Sequence, residues 1–423
     1  MPPSSTPLEV PPQAIVQPGE VAAARDRIAG RVLLTPSPAS PALSDATGFR
    51  VFCKLEYLQR TGSFKERGAA NALLCLDAAQ QRRGVVAASA GNHAAALAYH
   101  GRRLGVGVTV VMPTYAPLVK VETCRRLGAR VVQHGGTFAE ARTRADELVA
   151  EEGLRYVHGF DDRDVIAGQG TLGLEILEQV PDMAAIVVPA GGCGLLAGLA
   201  VAVKAVRPAV RVVAVEAANC PSLTAALAAG TPVAAPGRPT LADGLAVGRI
   251  GDLAFATSRP FIDQVVTVDE ATLARAILML LETEKAVVEG AGAAPLAALL
   301  SGELADLAGQ CIGLPLCGGN IDPLVLRRVI EHGLAASGRL CRLAVTVSDR
   351  PGGLARLTRL VADEGASVQD IRHERMFAGP DVANVQVVVV LETRNAEHAR
   401  DVTAAVTAQF GQGVRRLDEA ASS

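Results

Sequence analysis

The stretch Thr61–Asn71 reads TGSFKERGAAN and sets a lysine between a serine, a phenylalanine and the start of an alanine-rich helical run. The chain has only five lysines, Lys54, Lys65, Lys120, Lys204 and Lys285, although Lys and Arg together number 41. Arginine therefore carries nearly all the surface positive charge. An ε-amine can lose its proton and attack a carbonyl, whereas a guanidinium cannot. Lys65 is thus either a solvated residue in a first helical turn or a nucleophile, and its neighbours decide which.

Outward from that stretch, between about residues 84 and 335, short β-branched runs alternate with alanine-rich segments. Strand at 84–88 precedes helix at 92–104, strand 108–112 precedes helix 117–127, and strand 130–132 precedes helix 137–151. The pattern repeats with strand 186–188 before helix 194–206 and strand 210–215 before helix 221–229. Such alternation predicts parallel sheets covered on both faces, with ligands at the carboxyl ends of the strands. Residues 333–338, GLAASG, read as a linker. Beyond them the order becomes strand 341–347, helix 352–364, strands 367–377 and 382–392, helix 395–408 and a short strand near 414–417. This is the βαββαβ order of a ferredoxin-like module.

Length and composition set the class. A chain of 423 residues with 49% hydrophobic and 20% charged residues is long enough for two or three domains of globular type. A net charge of -2, no Trp and no basic run give no pull toward nucleic acid or an anionic membrane. The eight cysteines are scattered, with no CxxC and no close Cys/His pairing, which is neither a disulfide framework nor a zinc site and fits a reducing, cytoplasmic setting. The apolar stretch Ile186–Val203 is broken by Pro189 and by Gly191, Gly192 and Gly194, so it reads as strand, turn and helix rather than a membrane span. The Pro-rich first 20 residues lack a basic start and an apolar core, and are expected to form a mobile arm rather than a signal peptide.

Three loops join Lys65 as carriers of chemistry. Gly191-Gly192-Cys193-Gly194-Leu195 follows a β run and opens a helix, which leaves N–H groups free for a phosphate, although such turns also arise from packing alone. Ser89-Ala90-Gly91-Asn92-His93 lies between another strand and helix, where it either caps the helix or binds a carboxylate. His93 has no second ligand at i+3 or i+4 and reads as structural rather than metal-binding. Cys317, in Leu316-Cys317-Gly318-Gly319-Asn320-Ile321-Asp322-Pro323, is either a small buried hydrophobe or faces a ring nitrogen.

Together and in this order, the stretches resemble the fold-type II pyridoxal-phosphate enzymes, in their threonine/serine dehydratase branch. SFKERGAAN matches the Schiff-base lysine motif, SAGNH the asparagine loop, GGCGL the phosphate loop and CGGNID the contact to the pyridine nitrogen. The likeness spans about residues 20–335 and includes Glu56-Tyr57-Leu58-Gln59 and Val288-Glu289-Gly290-Ala291-Gly292. It implies a tryptophan synthase β-like fold of two open parallel-sheet α/β subdomains, the smaller at about 84–158 inserted in the larger. It also implies pyridoxal 5'-phosphate as cofactor, held covalently by Lys65, with Phe64 on the ring, Asn92 on the ring hydroxyl and Glu289 beside the ring. Gly191, Gly192, Cys193, Gly194 and Leu195 would bind its phosphate. Lys65 and Ser89 are the catalytic residues so implied, and Ser89, Ala90, Gly91, Asn92 and His93 would line the substrate carboxylate pocket.

The implied reaction is dehydration and deamination of L-threonine to 2-oxobutanoate and ammonia, with L-serine as a second substrate. A thiol such as Cys317 is a weak donor, so the ring nitrogen stays neutral and stores electrons poorly, which favours expelling a β-substituent over a long-lived carbanion. Relatives that racemise serine carry a serine where this chain has Ala90, which cannot transfer a proton. Rival readings are dehydration of another β-hydroxy amino acid, such as hydroxyaspartate or phenylserine, racemisation, and a non-catalytic amino-acid sensor that would have no need of Lys65. The chain departs from the family at Cys193, where a third glycine is usual. A positive φ there carries about 1–2 kcal/mol of strain. Relatives with a divalent cation have an acidic residue six positions after the one matching Glu216; this chain has Ser222, and no tight metal site is expected.

The C-terminal module, 341–418 after a linker at 336–340, resembles an ACT domain. Its Asp349-Arg350-Pro351-Gly352-Gly353-Leu354 matches the turn where such domains bind an amino acid. Asp349, Gly352, Gly353 and Leu354 are the effector-binding residues so implied; the alternative is a module that only dimerises by sheet extension. A homodimer or homotetramer is expected.

Overall fold

The computed structural model describes residues 15–374 and 383–417. It divides into two compact units, Met1–Ile321 and Asp322–Ser423. Among the described residues nine strands build the first: β1 (Arg50–Lys54), β2 (Val85–Ala88), β3 (Val108–Met112), β4 (Arg130–Gln133), β5 (Arg155–Tyr156), β6 (Ala185–Pro189), β7 (Arg211–Ala217), β8 (Gln264–Val268) and β9 (Cys311–Pro315). They form two sheets, ordered β1-β9-β6-β7-β8 and β4-β3-β2-β5, and every neighbouring pair in them is parallel. The smaller sheet is thus made from chain that lies between β1 and β6.

Local sequence accounts for these elements. All residues of β2, β3, β6 and β9 are buried, as unbroken apolar runs covered on both faces must be. Helix Asn92–Leu104 ends at Gly105 in the left-handed conformation, and helix Phe138–Glu152 starts at Thr137, whose hydroxyl accepts the Glu140 N–H. The larger sheet packs through Ile186, Val188 and Val212 against Leu196, Leu199 and Val203 of helix Gly194–Val206; the smaller has its own core around Val85, Val108, Val110 and Leu97. Strands β2, β6 and β9 each run at their carboxyl ends into one of the loops singled out in the sequence.

The expected mobile arm of residues 1–20 is corrected where it can be seen. Its residues 1–14 lie outside the described residues, but Val16 is buried and donates its N–H to Thr257 Oγ1 at 3.2 Å. Pro18 then opens helix Pro18–Ile28, which buries Val21, Ala24 and Ile28 along one face. Proline at a first helical position favours a helix start, so a Pro-rich segment can still end in a docked helix.

The second unit begins with helix Pro323–Ala336, whose N-cap Asp322 accepts the Leu324 N–H at 2.7 Å. This helix runs through most of the expected linker, with Gly333 buried inside it, and only Ser337, Gly338 and Arg339 connect it to β10 (Leu340–Ser348). The helix packs against β10 and goes with the second unit, although the resemblance to the pyridoxal-phosphate enzymes was expected to run on to about residue 335. After β10 come helix Gly353–Asp363, β11 (Ser367–Glu374), β12 (Asn384–Glu392), helix Ala396–Phe410 and β13 (Val414–Arg416). The antiparallel sheet is ordered β11-β12-β10-β13. This is the ferredoxin-like arrangement, and Val385, Val387, Val389 and Leu391 alternate inward onto Leu357, Val361, Val402 and Val406. The end of the expected strand 367–377 falls outside the described residues.

Candidate active site

Lys65 is placed by pairing on both sides. Ser63 bridges to Gly318, the Phe64 N–H donates to the Cys317 carbonyl at 2.9 Å, and Lys65 then opens helix Lys65–Leu74. Its Nζ donates to the Gly159 carbonyl at 2.6 Å and lies 5.2 Å from the centroid of the Phe64 ring. Burial pushes the amine down to about 8, against the upward pull of Glu289 and Cys317. A lysine so depressed has a substantial neutral fraction near physiological pH.

The same helix is anchored by a charge cluster that the sequence analysis did not identify. Arg67, fully buried, donates to Glu56 Oε1 and Oε2 at 2.7 and 2.8 Å and to Glu175 Oε1 and Oε2 at 2.6 and 2.7 Å. Lys54 adds a 2.7 Å bond to Glu175. Burial alone would raise the Glu56 carboxyl, but Arg67 holds it below the usual carboxylate range. The signal was present in Arg67 and Glu56, each inside a quoted motif, but their third partner Glu175 lies 108 residues from Arg67.

The loop after β2 carries Ser89, whose Oγ accepts the Gly91 N–H at 3.3 Å, and then Asn92 and His93 at the start of their helix. Asn92 Nδ2 donates to Glu289 Oε1 at 2.8 Å, and Asn92 Oδ1 accepts from Asn320 Nδ2 at 2.8 Å. Burial, reinforced by Asp243, pushes the Glu289 carboxyl up to about 7. His93 Nε2 meets the Val157 carbonyl at 3.0 Å, and its buried Nδ1 has no partner among the described residues. Burial, with Lys65 nearby, drives this imidazole down to about 3, so it is neutral.

The glycine turn after β6 shows why its residues are small. A Cβ on Gly191 would lie 2.7 Å from the Gly244 carbonyl oxygen, on Gly192 2.2 Å from the Phe160 ring and on Gly194 2.4 Å from the Phe160 carbonyl oxygen. The turn is thus wedged against two other loops. Cys193 adopts φ 67° and ψ 5° as N-cap of helix Gly194–Val206, so it does hold the left-handed conformation with a side chain attached. Cys317 follows β9; its buried thiol donates to the Pro315 carbonyl at 3.2 Å, and burial pushes it far above the usual thiol range.

These residues converge. Phe64, Lys65, Ser89, Ala90, Gly91, Asn92, His93, Gly191, Gly192, Cys193, Gly194, Leu195, Glu289 and Cys317 all line one cavity of about 340 Å³, within the range of small-molecule sites. The cavity is completed by residues to which the sequence reading gave no role, among them Tyr156, His158, Gly159, Phe160, Asp243 and Asn320. Lys120 and Phe138 also line it, and Lys120 Nζ lies 3.4 Å from Asp243 Oδ2. Glu216 lies elsewhere, where its carboxylate accepts the N–H groups of Leu223 and Thr224 at 2.5 and 2.9 Å and so closes the first turn of helix Ser222–Ala229.

In the second unit, Gly352 has φ 93° and precedes helix Gly353–Asp363, while a Cβ on Gly353 would lie 2.1 Å from the Ser348 carbonyl oxygen. Asp349 Oδ1 is 4.0 Å from His373 Nε2, and Leu354 is exposed. Asp349, Gly352, Gly353 and Leu354 thus share one tight turn between β10 and the helix that follows it.

Comparison with known proteins adds the following. The family model described as pyridoxal-phosphate dependent enzyme matches residues 28–318. An L-threonine ammonia-lyase of Geobacter sulfurreducens is 44% identical over 379 residues, 90% of this chain and 94% of that protein. Among solved structures, the processed form of threonine deaminase isoform 2 from Solanum lycopersicum superposes with a TM-score of 0.70 at 36% identity, covering 74% of this chain and 91% of that one. Maize serine racemase superposes with a TM-score of 0.71 at 35% identity, covering 76% and 98%.

Proposed function

This chain belongs to the family of pyridoxal-phosphate dependent enzymes, and on that premise we propose that it is an L-threonine ammonia-lyase that forms 2-oxobutanoate and ammonia, with L-serine as a secondary substrate. The observation that carries the reading is the convergence, in one cavity, of a lysine amine lowered to about 8, the Asn92 amide and the glycine turn at a helix N-terminus. The cavity suits the cofactor: an amine for its aldehyde, a turn and helix dipole for its phosphate, and the unpartnered His93 Nδ1 at its wall. When bound, pyridoxal phosphate supplies the electron sink that makes the α-proton of an amino acid removable.

The chain's own residues then divide the work. Lys65 holds the cofactor and, once free, takes the Cα proton at Nζ. Backbone N–H groups of Ala90, Asn92 and His93 would hold the substrate carboxylate at the start of a helix, in a loop shaped by the Ser89 N–H donating to the Val111 carbonyl at 3.1 Å and the Gly91 N–H donating to Ser89 Oγ at 3.3 Å. Asn92 would hydrogen-bond the cofactor's ring hydroxyl, Phe64 and Glu289 would flank its ring, and the N–H groups of Gly191 to Leu195 would hold its phosphate; all of these residues line the cavity. Cys317 keeps its proton, directed at the Pro315 carbonyl, so it would leave the cofactor's ring nitrogen unprotonated; the cofactor would then favour loss of the β-hydroxyl, which would leave as water with a proton supplied by the cofactor phosphate. The released enamine tautomerises to an imine and hydrolyses to the oxo acid and ammonia. Ala90 lines the cavity without a titratable group, so the position that carries a serine in relatives that racemise serine supplies no proton donor here, which favours dehydration over racemisation.

We further propose that the C-terminal unit is an ACT-like regulatory module that takes an amino acid at the turn of Asp349, Gly352, Gly353 and Leu354, that the enzyme is a homodimer or homotetramer, and that it works in a reducing cytoplasm. All eight cysteines are free, and among the described residues no helix is long and apolar enough to cross a membrane. The Geobacter sulfurreducens relative aligns over more residues than the first unit contains, which supports a shared two-unit design. Ammonia release from L-threonine, L-serine, threo-3-hydroxyaspartate and phenylserine tests the substrate: the highest kcat/KM is expected for threonine, and a higher value for either of the last two would overturn the assignment.

A further inference from the structure

We propose that Asn320 is a positioning residue that fixes which way the Asn92 amide points, and so which group Asn92 presents to the cofactor. The inference rests on the reading of Asn92 as a cofactor contact. Asn320 Nδ2 donates to two acceptors, the main-chain carbonyl of Thr61 at 2.7 Å and Asn92 Oδ1 at 2.8 Å. Asn92 Nδ2 in turn donates to Glu289 Oε1 at 2.8 Å. The Thr61 end of this chain settles its polarity. A carbonyl oxygen accepts only, so Thr61 demands the nitrogen of Asn320, whose other N–H then meets the Asn92 oxygen and turns Asn92 Nδ2 toward Glu289, a carboxyl that keeps an accepting oxygen in either protonation state. Asn92 then has its oxygen committed to Asn320 and one N–H of Nδ2 left over, and that N–H is a donor available to a ring oxygen in the cavity. With the amide turned over, nitrogen would face nitrogen at Asn320 and oxygen would face carboxylate at Glu289.

Asn320 is itself seated by Gly62. That glycine has φ 76°, and a Cβ on it would lie 2.5 Å from Asn320 Oδ1. The arrangement joins the loop before Lys65, the turn after β9 and the helix after β2, so Asn320 registers the lysine loop against the asparagine loop. Because Asn320 is largely exposed, its replacement should leave the fold intact, and its effect can be read at the cofactor.

The test compares Asn320→Ala, Asn320→Asp and Asn92→Ala by titrating the cofactor-free proteins with pyridoxal phosphate, recording the absorption band of the bound cofactor, and measuring kcat and KM for L-threonine. Loss of one orienting hydrogen bond predicts that Asn320→Ala weakens cofactor binding about tenfold and lowers kcat. Asn320→Asp has nearly the same shape but faces Asn92 with an acceptor, which turns the Asn92 amide, so it should be the worse variant in affinity and should shift the absorption band further. A packing role predicts the opposite order, with the isosteric aspartate milder than alanine, and that order would overturn the inference. If Asn92→Ala leaves affinity and band unchanged, Asn92 is not a cofactor contact and the underlying reading fails. If Asn92→Ala is severe while Asn320→Asp behaves as wild type, only the positioning role fails.

Discussion

Lys65 Nζ donates a 2.6 Å hydrogen bond to the carbonyl oxygen of Gly159, 94 residues further along the chain. The carbonyl fixes the amine at the cavity wall while burial lowers its proton affinity. Only a neutral amine attacks an aldehyde. The rate at which the cofactor-free protein captures pyridoxal phosphate should therefore rise with pH, by about tenfold per unit below the lysine pKa, and level off above about 8. Stopped-flow absorbance between pH 6 and 9 measures it, and a flat profile would contradict the lysine environment described.

Glu289 affects stability with the opposite sign from most carboxylates. Burial and then Asp243 raise its folded-state pKa to about 7 from an ordinary 4.5. A raised carboxyl favours the fold below its unfolded pKa, and that contribution is lost as pH rises through about 7. Glu289→Gln, which can still accept from Asn92, should therefore be more stable than wild type at pH 8 by on the order of 2–3 kcal/mol. The difference should vanish near pH 4.5. Unfolding transitions of the cofactor-free proteins at the two pH values decide the point; equal stability at pH 8 would refute it.

Most of the fold could be read from local pattern, because a parallel α/β core repeats the same short-range cues. The expected helices at 92–104 and 194–206 and the strand at 108–112 match the structure residue for residue. Where local cues misled, tertiary contact overrode them: Pro18 starts a helix that packs on the core, and Gly333 sits inside one rather than in a linker. The motifs singled out in the sequence converge on one cavity because each follows a strand or opens a helix, cues that are local. Asn320, although inside a quoted motif, was missed because its partners, Thr61 and Asn92, are 259 and 228 residues away. Gly159 and Phe160 carry no local signal at all, since their importance comes from the backbone of one and the packing of the other against Gly192 and Gly194.

The Arg67 cluster predicts a sharp contrast. Arg67→Ala leaves Glu56 and Glu175 with an uncompensated buried charge, and removing one partner of such a group costs about 3–5 kcal/mol. Arg130, paired with Glu152 on the surface, should cost less than about 1 kcal/mol when changed to alanine. Denaturant midpoints of the two variants test this, and a similar loss for both would show that the cluster is not what holds the Lys65 helix.

Cys193 tolerates φ 67° at a cost that glycine would not bear. Cys193→Gly should keep cofactor affinity within about threefold, because the strain it relieves is comparable to the burial it loses. Cys193→Val, β-branched in the same conformation, should lose cofactor binding, because the turn must rearrange. Equal affinity in the two variants, by cofactor titration, would remove the conformational argument.

The central claim is that Lys65 is the base of a threonine-deaminating enzyme, and its most direct test is 2-oxobutanoate and ammonia release from L-threonine by wild type and Lys65→Ala. Stoichiometric release by wild type, falling by on the order of 10³-fold or more in the variant, is the predicted result. Absence of release by cofactor-loaded wild type, or undiminished release by Lys65→Ala, would contradict the account.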